Sequence, residues 1–487
     1  MSRHLLFDSV ALRRIEIEQA AILGKDVLMR RAGAAVARAA INIAAPRTGS
    51  IIVIAGPGNN GGDARIAADD LMREGFEVSC IDARELVASD AALAALPMRF
   101  SKAGLIVDGL LGIGLSRAIT GPYAALVQAI NAAATPVLAI DVPSGIDADT
   151  GRIVGERAGC CVHADHTLTL IADKPGLHMG AGSANAGRVG IDSLGLDLAD
   201  ASAPGEVNGP QAFASVLRMR ESDSNKGSFG TCVLVGGSPG MAGAITLSAR
   251  AALHAGAGRV VVHRVGADTD LDPLHPEIMW RSLDAFRPDQ ASCVVIGPGL
   301  GTTEQARDLL AGAWSQAPRL VIDADALTLL ANDPGLAARA RPDGASTCLT
   351  PHPLEAARLL GTYVAAINAD RIAAARELAR RYRIDVVLKG QGSVLASATS
   401  ARWFINPTGN AGLASGGTGD VLAGVAGALL CRPGTDPAEA LRAAVYLHGA
   451  AAEALVAAGV GPIGLTASEL TIAIRSRLNR LIANQAS

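Results

Sequence analysis

The sequence predicts an α/β protein of two domains, each built on a parallel sheet with its own crevice. Three observations predict it. Short β-branched runs such as Ile51-Ile52-Val53-Ile54-Ala55 alternate with helical stretches in both halves, the pattern of strands covered by helices on both faces. The residues after those runs are glycine-rich or polar, and ligands of open α/β sheets sit at the carboxyl ends of strands. At 487 residues the chain also exceeds what one hydrophobic core usually organises.

Hydrophobic residues make up 49% and charged residues 18%, a composition of buried globular protein rather than disorder. A net charge of −3 gives no electrostatic case for nucleic acid or a membrane surface as partner. Cysteines are scattered without Cys-x-x-Cys spacing, and Cys160-Cys161 is the only close pair, as expected of reduced thiols in a cytoplasmic protein. The start, Met-Ser-Arg-His-Leu-Leu-Phe-Asp, lacks the apolar stretch of a signal peptide. No run approaches the roughly 20 apolar residues of a membrane helix. A soluble protein binding small molecules is expected. Association into a homo-oligomer is expected too, with small-residue helices packing either subunits or only the core.

Residues 12–43 carry apolar positions at helical spacing and predict two helices broken near Gly24. Their stripes are Leu12, Ile15 and Ile22, then Val27, Leu28, Ala32, Ala35 and Val36. The strand Ile51–Ala55 follows and runs into Gly56-Pro57-Gly58-Asn59-Asn60-Gly61-Gly62-Asp63, then a helix to about Glu74. Strand, glycine loop and helix place a phosphate on backbone amides. The spacing is not Gly-x-Gly-x-x-Gly and no Gly-Lys-Ser/Thr follows, which excludes ordinary dinucleotide-binding and P-loop readings. Strands at Val78–Ile81, Leu105–Val107 and Val137–Ile140 complete a doubly wound, Rossmann-like sheet. Past their ends stand Asp108, the run Gly112-Ile113-Gly114-Leu115, and Asp141-Val142-Pro143-Ser144-Gly145. One acid in such a place is often a turn former or helix cap; several in loops of one sheet point to a site.

Residues 196–210 are poor in large apolar side chains and carry prolines and glycines, a linker composition. The boundary is expected near Gly209, dividing 1–208 from 209–487. Beyond it, Lys226–Gly230 leads into a strand at Thr231–Val235, a glycine-rich loop to Ala244, and a helix at Ile245–Ala255 closed by Gly256-Ala257-Gly258. Further strands are predicted at Val260–Val262, Cys293–Ile296, Leu320–Ile322 and Val386–Leu388. Their loops include Gly297–Gly301, Asp323–Leu327, Thr350–Glu355 and Lys389–Ser393. Last comes Asn406–Gly424, whose glycines lead to one acid, Asp420, and the apolar helical run Val421–Leu430. A glycine loop feeding a helix presents free N–H groups to phosphate. An acid there would be repelled by that phosphate unless it moves a proton.

Gly-Pro-Gly-Asn-Asn-Gly-Gly-Asp, Asp-Gly-Leu-Leu-Gly-Ile-Gly-Leu and Asp-Val-Pro-Ser-Gly-Ile-Asp-Ala-Asp-Thr-Gly resemble the NAD(P)H-hydrate epimerase domain over about residues 10–200. Ala164–Thr167 and Lys174–Leu177 continue the similarity. The resemblance implies that Asn59, Asn60, Gly61, Gly62 and Asp63 contact the hydrated dinucleotide. It implies the same of the loop Gly112, Ile113, Gly114, Leu115, Ser116, Arg117 and Ala118, and of Tyr123 and Asp141. It makes Asn60, Asp108 and Ser144 potassium ligands. The reaction implied is interconversion of R and S hydrates at C6 of the reduced nicotinamide, with Asp141 the candidate to handle the proton. Ala64 stands where that family usually has glycine, and Leu111 where it usually has an aromatic ring.

The final loop and helix resemble the ribokinase-like fold. The set Gly-Gly-Ser-Pro-Gly-Met-Ala-Gly-Ala, Gly-Pro-Gly-Leu-Gly, Asp-Ala-Asp-Ala-Leu, Thr-Pro-His-Pro-Leu-Glu and Gly-Gly-Thr-Gly-Asp is similar to ADP-dependent NAD(P)H-hydrate dehydratases over about residues 215–480. By that resemblance Lys389, Gly390, Gln391, Gly392, Ser393 and Gly419 bind the adenine nucleotide. Ala244, Gly299, Gly301, His352 and Asp420 face the hydrate, and Leu354 replaces a commoner glycine. Asp420 is the expected base, ADP or ATP the phosphoryl donor, and Mg²⁺ is expected with the nucleotide. The rival readings are a ribokinase-like small-molecule kinase and a non-catalytic N-terminal nucleotide-binding module. A second crevice with epimerase motifs argues against the kinase.

Overall fold

The computed structural model describes residues 4–44, 49–198, 203–266 and 271–486. The chain divides into two compact units, one spanning His4–Glu206 and the other beginning at Val207.

In the first unit the helices Ser9–Leu23 and Lys25–Ala44 meet at Gly24, whose φ of 99° ends the first helix. Asp8 caps that first helix by accepting from the Ala11 amide. Leu12 and Ile15 are buried, but Ile22, expected on the same stripe, is 74% exposed. A polar Gln19 between them leaves no continuous apolar face to hold that end down. Six parallel strands form the sheet, in the order Val78–Asp82, Ser50–Ala55, Ala103–Gly109, Val137–Ile140, His166–Leu170, Arg188–Asp192. Ile51, Val53, Leu105 and Val107 pack into the core on one face and Ile52, Ile54 and Ile106 into the core on the other. That is why those runs show no polar alternation. Chain order reverses between Ser50–Ala55 and Ala103–Gly109, so the crevice opens at their carboxyl ends.

The second unit repeats the plan. Its parallel strands run in the order Met279–Arg281, Arg259–Arg264, Thr231–Gly236, Cys293–Ile296, Arg319–Ile322, Ser346–Leu349, Asp385–Leu388. An antiparallel pair, Ser393–Ser397 and Ser400–Asn406, extends the sheet beside Asp385–Leu388. The switch point falls between Thr231–Gly236 and Cys293–Ile296, where the Gly237 amide donates to Pro298 O at 3.0 Å and Ser238 to Gly299 O at 2.6 Å. Against this sheet pack the helices Ala242–His254, Thr418–Leu430 and Pro437–Ala457, whose small residues form one continuous core.

The stretch expected as a linker is only partly one. Residues 199–202 lie outside the described residues, but Gly205–Val207 is a strand pairing with Leu5–Leu6. Glu206 and Asn208 are buried, because backbone pairing, which needs no large apolar side chain, holds this segment. Among the described residues no helix is long and apolar enough to cross a membrane.

Candidate active sites

The first unit's crevice is built on the helix Asn59–Arg73, which starts earlier than its apolar pattern suggested, with Gly58 as N-cap. Asn60, Gly61 and Asp63 therefore lie buried in its first turns rather than in a free loop, while Asn59 stands exposed at its start. Facing it is the loop after Ala103–Gly109, where a Cβ on Gly112 would lie 3.3 Å from Asn60 Cγ. Asp108, fully buried, accepts from the Ser144 amide at 2.9 Å and the Ser144 hydroxyl at 2.7 Å. The Leu110 amide adds a third bond at 3.2 Å. Burial raises the Asp108 carboxyl despite these bonds from Ser144 and Leu110. Asn60 Nδ2 is buried beside them without a hydrogen-bond partner.

Asp141, just past Val137–Ile140, holds the left-handed backbone at φ 69°, a strained conformation for a side chain other than glycine. Its Oδ1 accepts from the Leu170 amide at 3.1 Å and meets Lys174 Nζ at 2.6 Å. Lys174 is buried, and Nζ also donates to Thr169 Oγ1 at 2.7 Å and to Leu170 O and Ala172 O at 3.0 Å. Asp63 feels Asp141 across the crevice. Burial first, then that charge, pushes the Asp63 carboxyl up to about 8, so it carries a proton near neutral pH. Tyr123 is half-buried against the core, whereas Ser116 and Arg117 stand exposed in their loop.

The second unit's crevice gathers around Lys389, at the carboxyl end of Asp385–Leu388. Its Nζ lies 2.8 Å from Asp323 Oδ1 and 3.8 Å from Glu355 Oε2. Burial opposes the Lys389 charge, but Asp323, Glu355 and Asp420 around it hold its pKa above the ordinary value. The helix Thr418–Leu430 begins at Gly417, whose φ of 87° turns the glycine loop into the helix axis. Gly419 and Asp420 thus sit in its first turn, with free amides beside the acid. A Cβ on Gly419 would lie 3.6 Å from Lys389 Nζ, which brings the glycine loop and the lysine loop together. Burial and then Asp323 raise the Asp420 carboxyl to about 6, with Lys389 pulling the other way.

His352 caps the helix Pro353–Leu360 in a reciprocal box with Glu355, whose Oε2 accepts from the His352 amide at 2.7 Å. Burial raises Glu355 to about 7, Lys389 notwithstanding. Gly299 lies over Ala244, a Cβ on it being 3.3 Å from Ala244 Cβ, and the Gly301 amide donates to Asp325 Oδ2 at 2.8 Å. Lys389–Ser393 forms a closed loop: Ser393 Oγ donates to Gly390 O at 3.0 Å, and Arg371 donates to Gln391 O at 2.6 Å and Leu388 O at 3.2 Å. Gln391 and Gly390 are exposed there and Gly392 is buried.

Both crevices match known protein families. A model described as YjeF-related protein N-terminus matches residues 25–96 and 84–176, and one described as NAD(P)H-hydrate dehydratase matches 232–475. The bifunctional NAD(P)H-hydrate repair enzyme Nnr of Escherichia coli (strain K12) is 38% identical, covering 98% of this chain and 94% of its own. The Coxiella burnetii enzyme of the same name is 36% identical, covering 96% and 97%. The chain belongs to the bifunctional NAD(P)H-hydrate repair enzyme family. A solved ADP/ATP-dependent NAD(P)H-hydrate dehydratase from Bacillus subtilis, co-crystallised with ATP/Mg²⁺, is 32% identical over 57% of this chain and 98% of its own, with a TM-score of 0.49.

Within this NAD(P)H-hydrate repair chain the departures noted in the sequence find simple homes. Ala64 is fully buried with its methyl over Gly109, where a Cβ would come within 2.5 Å, so a bare backbone opposite makes room for it. Leu111 packs against the apolar core beneath its loop, and Leu354 is 45% exposed. Lys174, Asp323, Glu355 and Arg371 are polar partners that sequence reasoning left without a role. All four stand at or against strand-end loops, a placement that could have drawn notice to them. His448 was silent. It lies buried mid-helix in Pro437–Ala457, with Nε2 2.9 Å from Thr418 O.

Proposed function

We propose that residues 1–208 interconvert the R and S hydrates of NADH and NADPH, and that residues 209–487 dehydrate the S hydrate with ADP or ATP. The observation that carries this reading is Asp420, an acid with a pKa of about 6, set among the free amides of a helix N-terminus beside Lys389. Phosphate on those amides and a proton acceptor next to it suit phosphoryl transfer to an alcohol. Asp420 takes the proton of the ring hydroxyl as its oxygen attacks the terminal phosphorus of the nucleotide. The amides of Gly417–Gly419 hold the charge that grows on the transferred group. Hydroxide, a poor leaving group, is replaced by phosphate; its departure with the C6–O electron pair and loss of the neighbouring proton restore the dihydronicotinamide. His352 and Gly299 border the place where that ring would lie. Mg²⁺ fits here: Asp323, Glu355 and Asp420 outnumber the ammonium of Lys389, and hard carboxylate oxygens suit it. When bound it supplies charge neutralisation to the nucleotide's phosphates.

In the N-terminal unit Asp141 and Asp63 form an acid–base pair, one in an ion pair with Lys174 and one kept protonated by burial. A proton can thus be given and taken at the hydrated carbon. Potassium fits the oxygen set of Asn60, Asp108 and Ser144, because the buried Asp108 carboxyl is met by neutral donors, the Leu110 and Ser144 amides and the Ser144 hydroxyl. A bound ion would supply that charge. The free state of all seven cysteines supports a reducing compartment, in which we place the protein as cytoplasmic.

Asp420→Asn tests the reading. It keeps nucleotide binding and R-to-S conversion but abolishes dehydration. A phosphorylated alcohol accumulating in place of the reduced nicotinamide would establish the kinase reading instead.

A further inference from the structure

A cavity of about 670 Å³, with apolar walls and an arginine-rich rim, opens in the C-terminal unit, away from the crevice just described. Arg339, Arg341, Arg381 and Arg383 line it, around the buried rings of Trp314 and Tyr382. Its place in the fold follows from the strands. Trp314 lies in the last turn of the helix before Arg319–Ile322, Arg341 precedes Ser346–Leu349, and Arg383 precedes Asp385–Leu388. The opposite ends of those same strands carry Asp323, the His352 loop and Lys389. Strands of this length separate the two edges of the sheet by roughly 13 Å.

Arg381 feels the exposed carboxylate of Glu377, which is already paired with Arg380. No ion pair to a carboxylate is formed by any of the four arginines among the described residues. Arg341 lies with its guanidinium 5.3 Å from the Trp314 ring centroid, and its Nε and Nη2 are buried with no hydrogen-bond acceptor. Arg381 stands over the Tyr382 ring at 5.8 Å, and Arg383 ends its helix in the left-handed conformation, φ 56°. Trp314 and Tyr382 are spoken for by carbonyls, at Arg339 O and Leu359 O, so they act as walls rather than as polar contacts. Burying unpaired donors on a cation costs free energy that an anion would recover. Arginine's planar fork is matched to phosphate, two oxygens at a time.

We propose that this cavity binds the phosphate groups of a small phosphorylated metabolite, at a site separate from the catalytic crevice. Concavity and a volume within the range of small-molecule sites favour a compact polyanion over an extended nucleic acid, which the net charge of −3 also disfavours. The inference stands independently of the catalytic reading.

Inorganic pyrophosphate, titrated calorimetrically into the full chain and into the R381Q/R383Q variant, tests it. Both substituted residues are exposed, so the variant keeps its fold, checked by circular dichroism. The wild type is expected to bind one more pyrophosphate per chain than the variant, or to bind it at least tenfold tighter at that site, with dehydration at saturating ADP unchanged within twofold. Displacement of that pyrophosphate by ADP and AMP but not by adenosine would name a nucleotide as the source of the phosphates; failure of both nucleotides would name an inorganic or sugar phosphate. Equal stoichiometry and affinity in the two proteins would overturn the site.

Discussion

Lys389 Nζ lies 2.8 Å from Asp323 Oδ1, an ion pair joining the carboxyl ends of two strands inside the C-terminal crevice. The pair leaves Glu355 and Asp420 sharing what remains of one cation, and burial keeps both above the ordinary carboxylate range. Removing Lys389 therefore does more than delete a phosphate contact. Lys389→Met should abolish most dehydration and leave R-to-S conversion at the wild-type rate, as measured on each epimer separately. Its residual activity should require higher pH, because the charge that lowers Asp420 is gone.

The pH profile of dehydration follows from Asp420. Burial raises this group to about 6, and it must be ionised to accept the hydroxyl proton. The turnover number should rise with pH through about 6 and level off above it, once substrate and nucleotide saturate. A profile flat from pH 5 to 8 would remove Asp420 from the role of base.

Asp63 gives a stability prediction of the opposite slope. Its carboxyl titrates at about 8 in the folded chain, against an ordinary value of 3.8. Between those limits the folded state binds the extra proton, so stability falls as pH rises through the window. Asp63→Asn should flatten that fall in the melting temperature of the N-terminal unit between about pH 5 and 8, while slowing epimerisation. Calorimetry at several pH values measures the first and a chiral separation of the hydrates the second.

The helix carrying Asp420 is held from behind by close packing. A Cβ on Gly424 would collide with the Ser248 carbonyl of the helix Ala242–His254. Gly424→Ala should destabilise the C-terminal unit by about 1–3 kcal/mol, a typical overpacking cost, and loosen the first turn that Asp420 occupies. Denaturant unfolding measures it.

Much of this was legible in the sequence, for physical reasons. Strands buried on both faces read as unbroken β-branched runs, so Ser50–Ala55 and Cys293–Ile296 were plain. The short strands His166–Leu170 and Arg188–Asp192 were not, since their side chains mix polar and apolar types and show no unbroken β-branched run. Glycine loops announced both crevices through the backbone they require. The ion pairs Lys174–Asp141 and Lys389–Asp323 remained hidden because each joins residues far apart in the chain. Arg371, which clamps the Lys389–Ser393 loop through its carbonyls, looked like any helical arginine.

The most direct measurement mixes the full chain with both epimers of NADH hydrate and ADP, and follows the return of dihydronicotinamide absorbance. Complete recovery of both epimers is the predicted result, since one unit feeds the other. Recovery that stops at the S fraction would contradict the role given to Asp141 and Asp63, and no recovery at all would contradict the account.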